Sequence, residues 1–263
     1  MKGLYAVYRK EMSHYFVSPI AYIVAGVFLF LTGFFFTRVL AYFIEQSFEM
    51  GMQSMQFGGA GMNFDVPSRT ITTFFGILSS ILLFLTPMLT MGVYAEERKR
   101  GTIELLMTSP ITDAQIVLGK FFGSLTLLII MLAPTAAYAV FTFLHSEPAP
   151  PWKVLLCAYL GALLLGSVLL ALGSLFSSLT ENQLIAAVLT FGAFLILWVI
   201  DFGSRNTTSG IGAVVQYLSV VRHYDDFTRG VLDTANVVFY LSLIVLAIFL
   251  TIRSLDSMRW RRA

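Results

Sequence analysis

Charged residues are scarce in this chain. Aspartate, glutamate, lysine and arginine make up 12% of its 263 residues, whereas soluble domains contain about 25%. Hydrophobic residues account for 57%, with 24 phenylalanines, and the mean hydropathy is +0.80. This composition excludes an ordinary soluble protein, and the net charge of +2 gives no support for binding nucleic acid. We therefore expect a membrane protein that is surrounded by the lipid bilayer.

Cysteine and histidine are also rare. Cys157 is the single cysteine and lies in an apolar run, which excludes a disulfide framework and a cysteine metal site. The three histidines are scattered along the chain. We therefore expect no catalytic residue, no metal ligand and no cofactor-binding residue in this chain.

Long apolar runs predict six membrane-spanning helices, since about 20 apolar residues cross a bilayer. Lipid offers no hydrogen-bond partner to an open backbone, so every span should be helical. The predicted spans cover approximately residues 19–43, 72–94, 116–144, 154–178, 184–200 and 237–252. Together they form one transmembrane domain over residues 1–263, in an all-α membrane protein.

Lysine and arginine are unequally divided between the two sides of this arrangement. Six spans place both termini, and the loops after the second and fourth spans, on the same side. That side carries eleven of the 17 lysines and arginines. Because short cytoplasmic loops are enriched in these residues, we expect both termini to be cytoplasmic.

Residues 1–16 are too polar to cross the membrane. Leu4, Tyr8 and Met12 recur every four residues, which predicts an amphipathic helix lying in the cytoplasmic interface. An ordinary flanking helix without a special function is the alternative. The segment has no small-residue cleavage site after a short apolar core, so we expect no signal peptide.

The cytoplasmic loop 95–115 interrupts the apolar chain with five consecutive charges. We expect the second span to run into these charges, and Gly101 to end the helix in a left-handed conformation. Thr102 is then a candidate N-cap for a short helix with Glu104 in its first turn. Pro110 disfavours a helical conformation at the residue before it, so the short helix should stop there.

The short helix carries an apolar stripe. Ile103, Leu106 and Met107 fall on one face, and a helix of two turns is not stable alone in water. The stripe therefore needs a covering surface, either a partner protein or the bilayer and this chain's own helices. Thr112 and Gln115 have the spacing of a capping box, so the next helix should start after them.

The segment YAEERKRGTIELLMTSPITDAQIVLGKFFG, residues 94–123, resembles the cytoplasmic signature of ABC-2 type ABC transporter permeases. The matching positions are Glu96, Glu97, Arg98, Gly101, Thr102, Glu104, Leu106, Pro110, Gly119 and Lys120. The similarity covers nearly the whole chain and implies the ABC type-2 exporter-like (type V) fold. The segment HYDDFTRGVLD, residues 223–233, is most similar to the gliding-motility (Gld) type, and the nitrous-oxide-reductase maturation (Nos) type is a more distant relative.

The resemblance implies a permease of the bacterial inner membrane. It would couple ATP hydrolysis by a separate subunit to export, or to a conformational change on the outer side. Two permease chains, identical or paralogous, would pair with two cytoplasmic ABC ATPase chains, and an auxiliary protein with an extracytoplasmic domain is a further candidate partner. The helix near residues 102–108 would be the coupling helix that docks on the ATPase.

A second cytoplasmic contact is implied for the segment SLTENQ, residues 178–183, where Thr180 is the expected N-cap of a helix starting at Glu181. The complete set of implied ATPase-coupling residues is Glu96, Glu97, Arg98, Gly101, Thr102, Ile103, Glu104, Leu106, Met107, Pro110, Thr180, Glu181 and Asn182.

The chain lacks the phosphate-binding motif G-x-x-x-x-G-K-[ST]. Gly119 and Lys120 are the nearest fragment, and Phe121 follows them where the motif needs serine or threonine. We therefore expect ATP and Mg²⁺ on the partner ATPase and no enzyme activity in this chain.

We consider two other functions for this chain. A complex of the same class could move an outer partner mechanically without any substrate crossing the membrane. An ion-driven secondary transporter would need paired acidic residues in mid-span, and the predicted spans lack them.

The outer side carries a methionine-rich loop and a region that we expect to re-enter the membrane. Met50, Met52, Met55 and Met62 lie close together in the sequence, and thioethers favour soft ions such as Cu(I). Because the loop lacks histidine and cysteine, ordinary methionines are the alternative. Residues 201–236 resemble the outer-side region of ABC-2 permeases, which implies half-helices that partly re-enter the membrane.

Two glycines predict where two helices approach each other closely, and two prolines predict where helices bend. Gly119 and Gly123 form a G-x-x-x-G motif, which lets two helices approach closely. Pro87 and Pro134 lie inside the second and third predicted spans, where each can kink its helix.

Overall fold

The computed structural model describes residues 2–56, 65–104, 110–146, 150–204 and 219–260. Within these ranges the chain is helical and contains no strand, which confirms the all-α fold. The helices are α1 (Lys2–Val17), α2 (Pro19–Gln56), α3 (Val66–Thr90), α4 (Ala95–Lys99), α5 (Asp113–Leu132), α6 (Ala136–His145), α7 (Trp152–Leu179), α8 (Gln183–Ser204), α9 (Val220–Thr228) and α10 (Thr234–Trp260).

Five stretches of the described chain are long and apolar enough to cross a membrane. They are Pro19–Gln53, Val66–Lys99, Asp113–His145, Trp152–Leu179 and Thr234–Met258. The fifth predicted span, 184–200, coincides with a shorter apolar helix, Gln183–Val199. The described residues therefore contain five to six candidate membrane helices.

Helix α7 lies at the centre of the bundle. It packs against α3, α5, α8, α9 and α10, and its residues Ala158, Ala162 and Ala171 are completely buried. Helices α2 and α10 lie at the periphery and expose large apolar side chains such as Phe30 and Val245. Exposed apolar faces of this kind suit contact with lipid.

Two predicted spans are interrupted. The second was expected to run unbroken into the charged loop, but α3 ends at Thr90 and a turn at 91–94 separates it from α4. The third was expected as one helix over 116–144, but a 3-10 turn, Ala133–Thr135, divides it into α5 and α6. Pro134 explains this division, because proline lacks an N–H group and its ring collides with the preceding helical turn.

Several helices extend beyond the predicted spans: α2 continues past residue 43 to Gln56, and α3 and α10 extend beyond 72–94 and 237–252. Helix α3 starts earlier, where the Asp65 carboxylate caps it by accepting a hydrogen bond from the Ser68 N–H at 3.1 Å. Helix α10 continues to Trp260, beyond its apolar part.

The prediction for the start of α8 is wrong by two residues. The helix begins at Gln183 and not at Glu181. The Thr180 hydroxyl accepts a hydrogen bond from the Asn182 N–H at 3.1 Å, and the Asn182 side chain accepts one from the Leu184 N–H at 2.9 Å. Two short polar side chains in succession therefore organise the turn, because each competes for a nearby backbone donor.

Part of the region predicted to re-enter the membrane forms α9, which packs against α7 and α3. Tyr224 donates a hydrogen bond to the Phe75 carbonyl at 2.9 Å, and Tyr240 donates one to the Val220 carbonyl at 2.8 Å. These two bonds hold α9 against α3 and α10. In the rest of the predicted region, residues 201–204 belong to α8 and residues 234–236 begin α10, whereas residues 205–218 lie outside the described part of the chain.

Candidate functional site

The charged loop begins at a turn that a distant serine organises. Ser177 of α7 accepts hydrogen bonds from the backbone N–H groups of Tyr94 at 3.1 Å and Ala95 at 3.2 Å. Its hydroxyl donates to the Met91 carbonyl at 2.9 Å. One side chain therefore satisfies three backbone groups where α3 ends and α4 begins, and it fixes α4 against the end of α7.

The charges of α4 connect it to the second predicted contact segment. Arg98 donates a hydrogen bond to the Ser178 carbonyl at 2.7 Å and pairs with Glu181 at 3.2 Å. Arg100 pairs with Glu96, one turn earlier, at 2.5 Å. The structure thus brings the two segments selected from the sequence into direct contact through Arg98.

Gly101 ends α4 as predicted, with a φ of 70°. After it, the Thr102 hydroxyl donates to the Glu97 carbonyl at 3.4 Å, and Ile103 and Glu104 are helical. Of the two covering surfaces considered for the apolar stripe, the chain's own helices cover Ile103, which is buried in a cluster with side chains of α5 and α10. The chain folds back on its own helices at this point, so Ile103 stabilises the loop and does not present a docking face.

The other members of the stripe, Leu106 and Met107, lie outside the described residues. Pro110 is exposed. The capping box at the start of α5 is confirmed, because the Gln115 N–H donates to the Thr112 hydroxyl at 3.4 Å and the Thr112 N–H donates to the Gln115 side chain at 3.3 Å.

A buried ionic cluster links α4 to α1 and α5. The Lys120 ammonium lies 2.7 Å from Glu11 Oε1 and 3.1 Å from Glu97 Oε2, and it donates to the Val93 carbonyl at 2.9 Å. Glu97 also pairs with Lys10 at 2.8 Å. An ammonium group has three N–H donors, so the buried charge of Lys120 is compensated in three directions.

Glycines on α5 allow α1 to approach closely enough to form this cluster. A Cβ atom at Gly119 would lie 2.8 Å from the Val7 Cβ, and one at Gly123 would lie 2.9 Å from the Glu11 Cβ. Such distances are too short for two carbon atoms, so only glycine allows this separation. The G-x-x-x-G motif therefore brings two helices together, as predicted.

The covered face of α1 differs from the predicted one. The sequence pattern selects Leu4, Tyr8 and Met12, but these residues are only half-buried. The buried side chains of α1 are Val7, Glu11 and Tyr15. The surface that covers α1 is the glycine groove of α5, and that groove selects a neighbouring stripe of side chains.

Two tyrosines border the ionic cluster. The Tyr15 hydroxyl lies 2.8 Å from Ser124 Oγ. Burial, with the Glu11 carboxylate nearby, raises the pKa of Tyr15 above its usual value of 10.0, so the hydroxyl stays neutral. The Tyr94 ring lies 5.2 Å from the Lys120 ammonium, within the range of a cation–π contact.

Three residues of this site, Lys10, Glu11 and Ser177, were not predicted from the sequence. A signal for Glu11 was present, since it is the only acidic residue among the first 44 and Lys120 is the only charged residue in α5 after its first position. Two isolated opposite charges in separate helices indicate a buried pair, because an unpaired charge is costly to bury. Ser177 gave no such signal, since α7 contains several serines.

An open cleft of about 480 Å³ lies where α4 meets the loop between α7 and α8. It is lined by Arg98, Lys99, Leu179, Thr180, Glu181 and Asn182. Lys99, Glu181 and Asn182 are exposed, so the cleft is accessible from solvent and presents charges of both signs.

The other candidate residues do not form a second site. No group of three or more histidine, cysteine, aspartate or glutamate residues in the described ranges could hold a metal ion. His223 lies 2.6 Å from the Asn236 side chain, whose amide donates to Asp226 at 2.9 Å, in a network that joins α9 to α10. Met52 is exposed on α2, whereas Met62 lies outside the described residues, so the choice between a copper site and ordinary methionines is not tested.

Comparison with known proteins adds one finding. The family model described as "ABC-2 family transporter protein" matches residues 5–258. The matched region includes most of α1 and the ionic cluster. It also includes the surface where α4 meets the loop between α7 and α8, residues 95–101 and 178–183, which we call the α4 junction. No curated protein matches the chain.

Proposed function

The chain belongs to the ABC-2 transporter family and is a permease subunit of an ABC transporter, and we propose that its α4 junction is the surface on which the ATPase acts. The family implies an ABC ATPase as partner, because a permease subunit of this family is generally not itself catalytic. We assign both the residues that contact the ATPase and the path by which its motion reaches the helix bundle.

The contact made by Arg98 carries the proposal. It joins α4 to the loop between α7 and α8, so the two segments form one accessible surface around the open cleft. A partner that docks there would contact both segments at once. The exposed residues Lys99, Glu104 and Asn182 are suited to the polar rim of such an interface.

The ionic cluster offers a path from that surface into the bundle. Glu97 lies on α4 and pairs with both Lys10 of α1 and Lys120 of α5. Ser177 holds the same segment to α7. A displacement of α4 would therefore act on three helices together, and the state with higher affinity for the ATP-bound ATPase becomes populated.

In this proposal two ATPase copies, which hold ATP and Mg²⁺, act on two permease chains, either identical or paralogous. The complex lies in the bacterial inner membrane with both permease termini in the cytoplasm. It works as a transporter of the gliding-motility (Gld) type, with an auxiliary protein that has an extracytoplasmic domain.

Substitution of Arg98 tests the proposal. Arg98→Glu should repel Glu181 and separate the two segments, which should lower vanadate-sensitive ATP hydrolysis by the co-purified complex about tenfold, corresponding to about 1.4 kcal/mol of coupling. Glu104→Arg and Leu106→Arg should have the same effect if both positions contact the ATPase. Arg253→Glu is the matched control, because Arg253 is an exposed cation on α10 whose partner is the nearby Asp256.

Normal assembly with normal hydrolysis in Arg98→Glu would contradict the proposal. Loss of hydrolysis in the Arg253→Glu control to the same extent would show a general charge effect, and the assignment to α4 would fail.

A further inference from the structure

A second cleft, of about 280 Å³, opens between the first turn of α2 and the last turn of α3, beside the ionic cluster. One buried water needs only about 10–15 Å³, so this space can hold a much larger group. Its wall has an apolar part, formed by Ile20, Ala21, Met88 and Leu89, and a charged part.

The charged part of the wall contains two ion pairs whose cations are exposed and whose carboxylates are mostly covered. They are Lys10 with Glu97 at 2.8 Å and Arg100 with Glu96 at 2.5 Å, and the side chains of Lys10 and Arg100 are 54% and 70% exposed. Solvent around the two cations weakens both pairs. Lys10 and Arg100 can therefore turn to a ligand group at little cost, while Glu97 keeps its ion pair with Lys120.

The balance of charge selects the kind of ligand. The ionisable groups that face the cleft are His14, Tyr15 and equal numbers of carboxylates and cations, including the deeper Lys120 and Glu11. A purely anionic ligand would take the cations and leave the carboxylates unpaired. A zwitterion with a phosphate and an ammonium group can satisfy both members of each of these two pairs.

The apolar part of the wall indicates that the ligand has a hydrocarbon chain. Ile20 and Met88, which line the cleft, are each 52% exposed. The cleft therefore continues into the lipid-facing surface of α2. An acyl chain can extend from the cleft into the bilayer without leaving apolar surroundings.

We propose that this cleft binds one zwitterionic phospholipid with a primary ammonium group. Lys10 and Arg100 bind the phosphate, Glu96 and Glu97 bind the ammonium group, and an acyl chain lies along Ile20 and Met88. The buried pair of Lys120 and Glu11 stays intact beneath the headgroup. This inference rests on the cleft alone and does not depend on coupling to the ATPase.

Native mass spectrometry of the purified chain, supplied with equal amounts of phosphatidylethanolamine and phosphatidylglycerol, tests the proposal. One phosphatidylethanolamine should remain bound per chain, with about a fivefold preference, or about 1 kcal/mol. Ile20→Trp, which fills the apolar part, and Arg100→Gln should each lower this retention about fivefold. Ile23→Trp and Lys99→Gln are matched controls outside the cleft and should retain the lipid.

Three results would overturn the assignment. Equal retention of the two lipids would remove the zwitterion preference, and equal loss in Ile20→Trp and Ile23→Trp would indicate general binding around the protein. Displacement of the lipid by soluble phosphoethanolamine would show that the cleft recognises a free headgroup. If Arg100→Gln lowers the thermal stability of the chain, the comparison of Ile20→Trp with Ile23→Trp decides alone.

Discussion

Lys120 and Glu11 are the only lysine, arginine, aspartate or glutamate residues that are buried in the described part of the chain. Their surroundings are not equivalent. Lys120 neutralises two carboxylates, Glu11 and Glu97, whereas Glu11 has one cationic partner. Glu97 has a second partner in Lys10, so the loss of Lys120 leaves Glu11 as the unpaired charge.

This asymmetry predicts different costs for neutralising the two residues. Lys120→Gln should lower the free energy of unfolding by about 3–5 kcal/mol, because it leaves the Glu11 carboxylate buried without a counter-ion. Glu11→Gln should cost less, since Lys120 keeps Glu97. The double variant should recover part of the loss, and equilibrium unfolding of the purified protein measures all three.

The double-mutant cycle provides the control. An interaction energy of about 0.5–3 kcal/mol is typical of groups in contact. If the two single costs simply add in the double variant, the ionic cluster does not act as a unit.

Helix α1 behaves as part of the bundle. Its contacts with α5 follow a regular order, since Gly3 lies beside Gln115, Val7 beside Gly119 and Glu11 beside Gly123. Positions increase together in both helices, so α1 and α5 run parallel along this groove. The position of α1 at the membrane interface stays a prediction.

Adding one methyl group in the groove should displace α1. Gly119→Ala would place a Cβ 2.8 Å from the Val7 side chain, and overpacking of this kind costs about 1–3 kcal/mol. Gly76→Ala is the matched control, because it is also a helical glycine and a Cβ there meets nothing within 4 Å. Alanine at position 76 should leave the stability of the protein unchanged or raise it slightly, because alanine favours a helix more than glycine does.

Thermal unfolding of the two purified variants checks this expectation, together with hydrogen exchange of the α1 amides. Faster exchange in α1 should appear in Gly119→Ala only. Equal melting temperatures for the two variants would show that the groove tolerates a wider separation.

The elements differ in how far the sequence predicted them. Apolar runs and local caps predicted most helices, because hydrophobicity and capping depend on residues close in sequence. The break at residues 91–94 was missed because it depends on Ser177, which lies 83 positions from Tyr94. The surface that covers Ile103 could not be chosen from the sequence for the same reason, since the covering residues belong to α5 and α10.

At the scale of the whole molecule, the family and the all-α membrane class could be predicted because they depend on composition and one long motif. The ionic cluster could not, because it joins residues 11, 97 and 120 on three separate elements. The motif residues Glu97 and Lys120 matched the family pattern, but only the fold shows that they face each other. These two residues therefore stabilise the fold, and they are also candidates for coupling to the ATPase.

The distribution of lysine and arginine predicts which side of the membrane each end of the bundle faces. Eleven of the 17 lysines and arginines lie on the side that holds both predicted termini and the α4 junction, and such residues are retained in the cytoplasm. Green fluorescent protein fused to the C-terminus should therefore fluoresce, and alkaline phosphatase fused there should be inactive. Alkaline phosphatase inserted in the loop between α6 and α7 should be active, which controls for expression. Active phosphatase at the C-terminus would place the α4 junction outside, where no cytoplasmic ATPase can reach it.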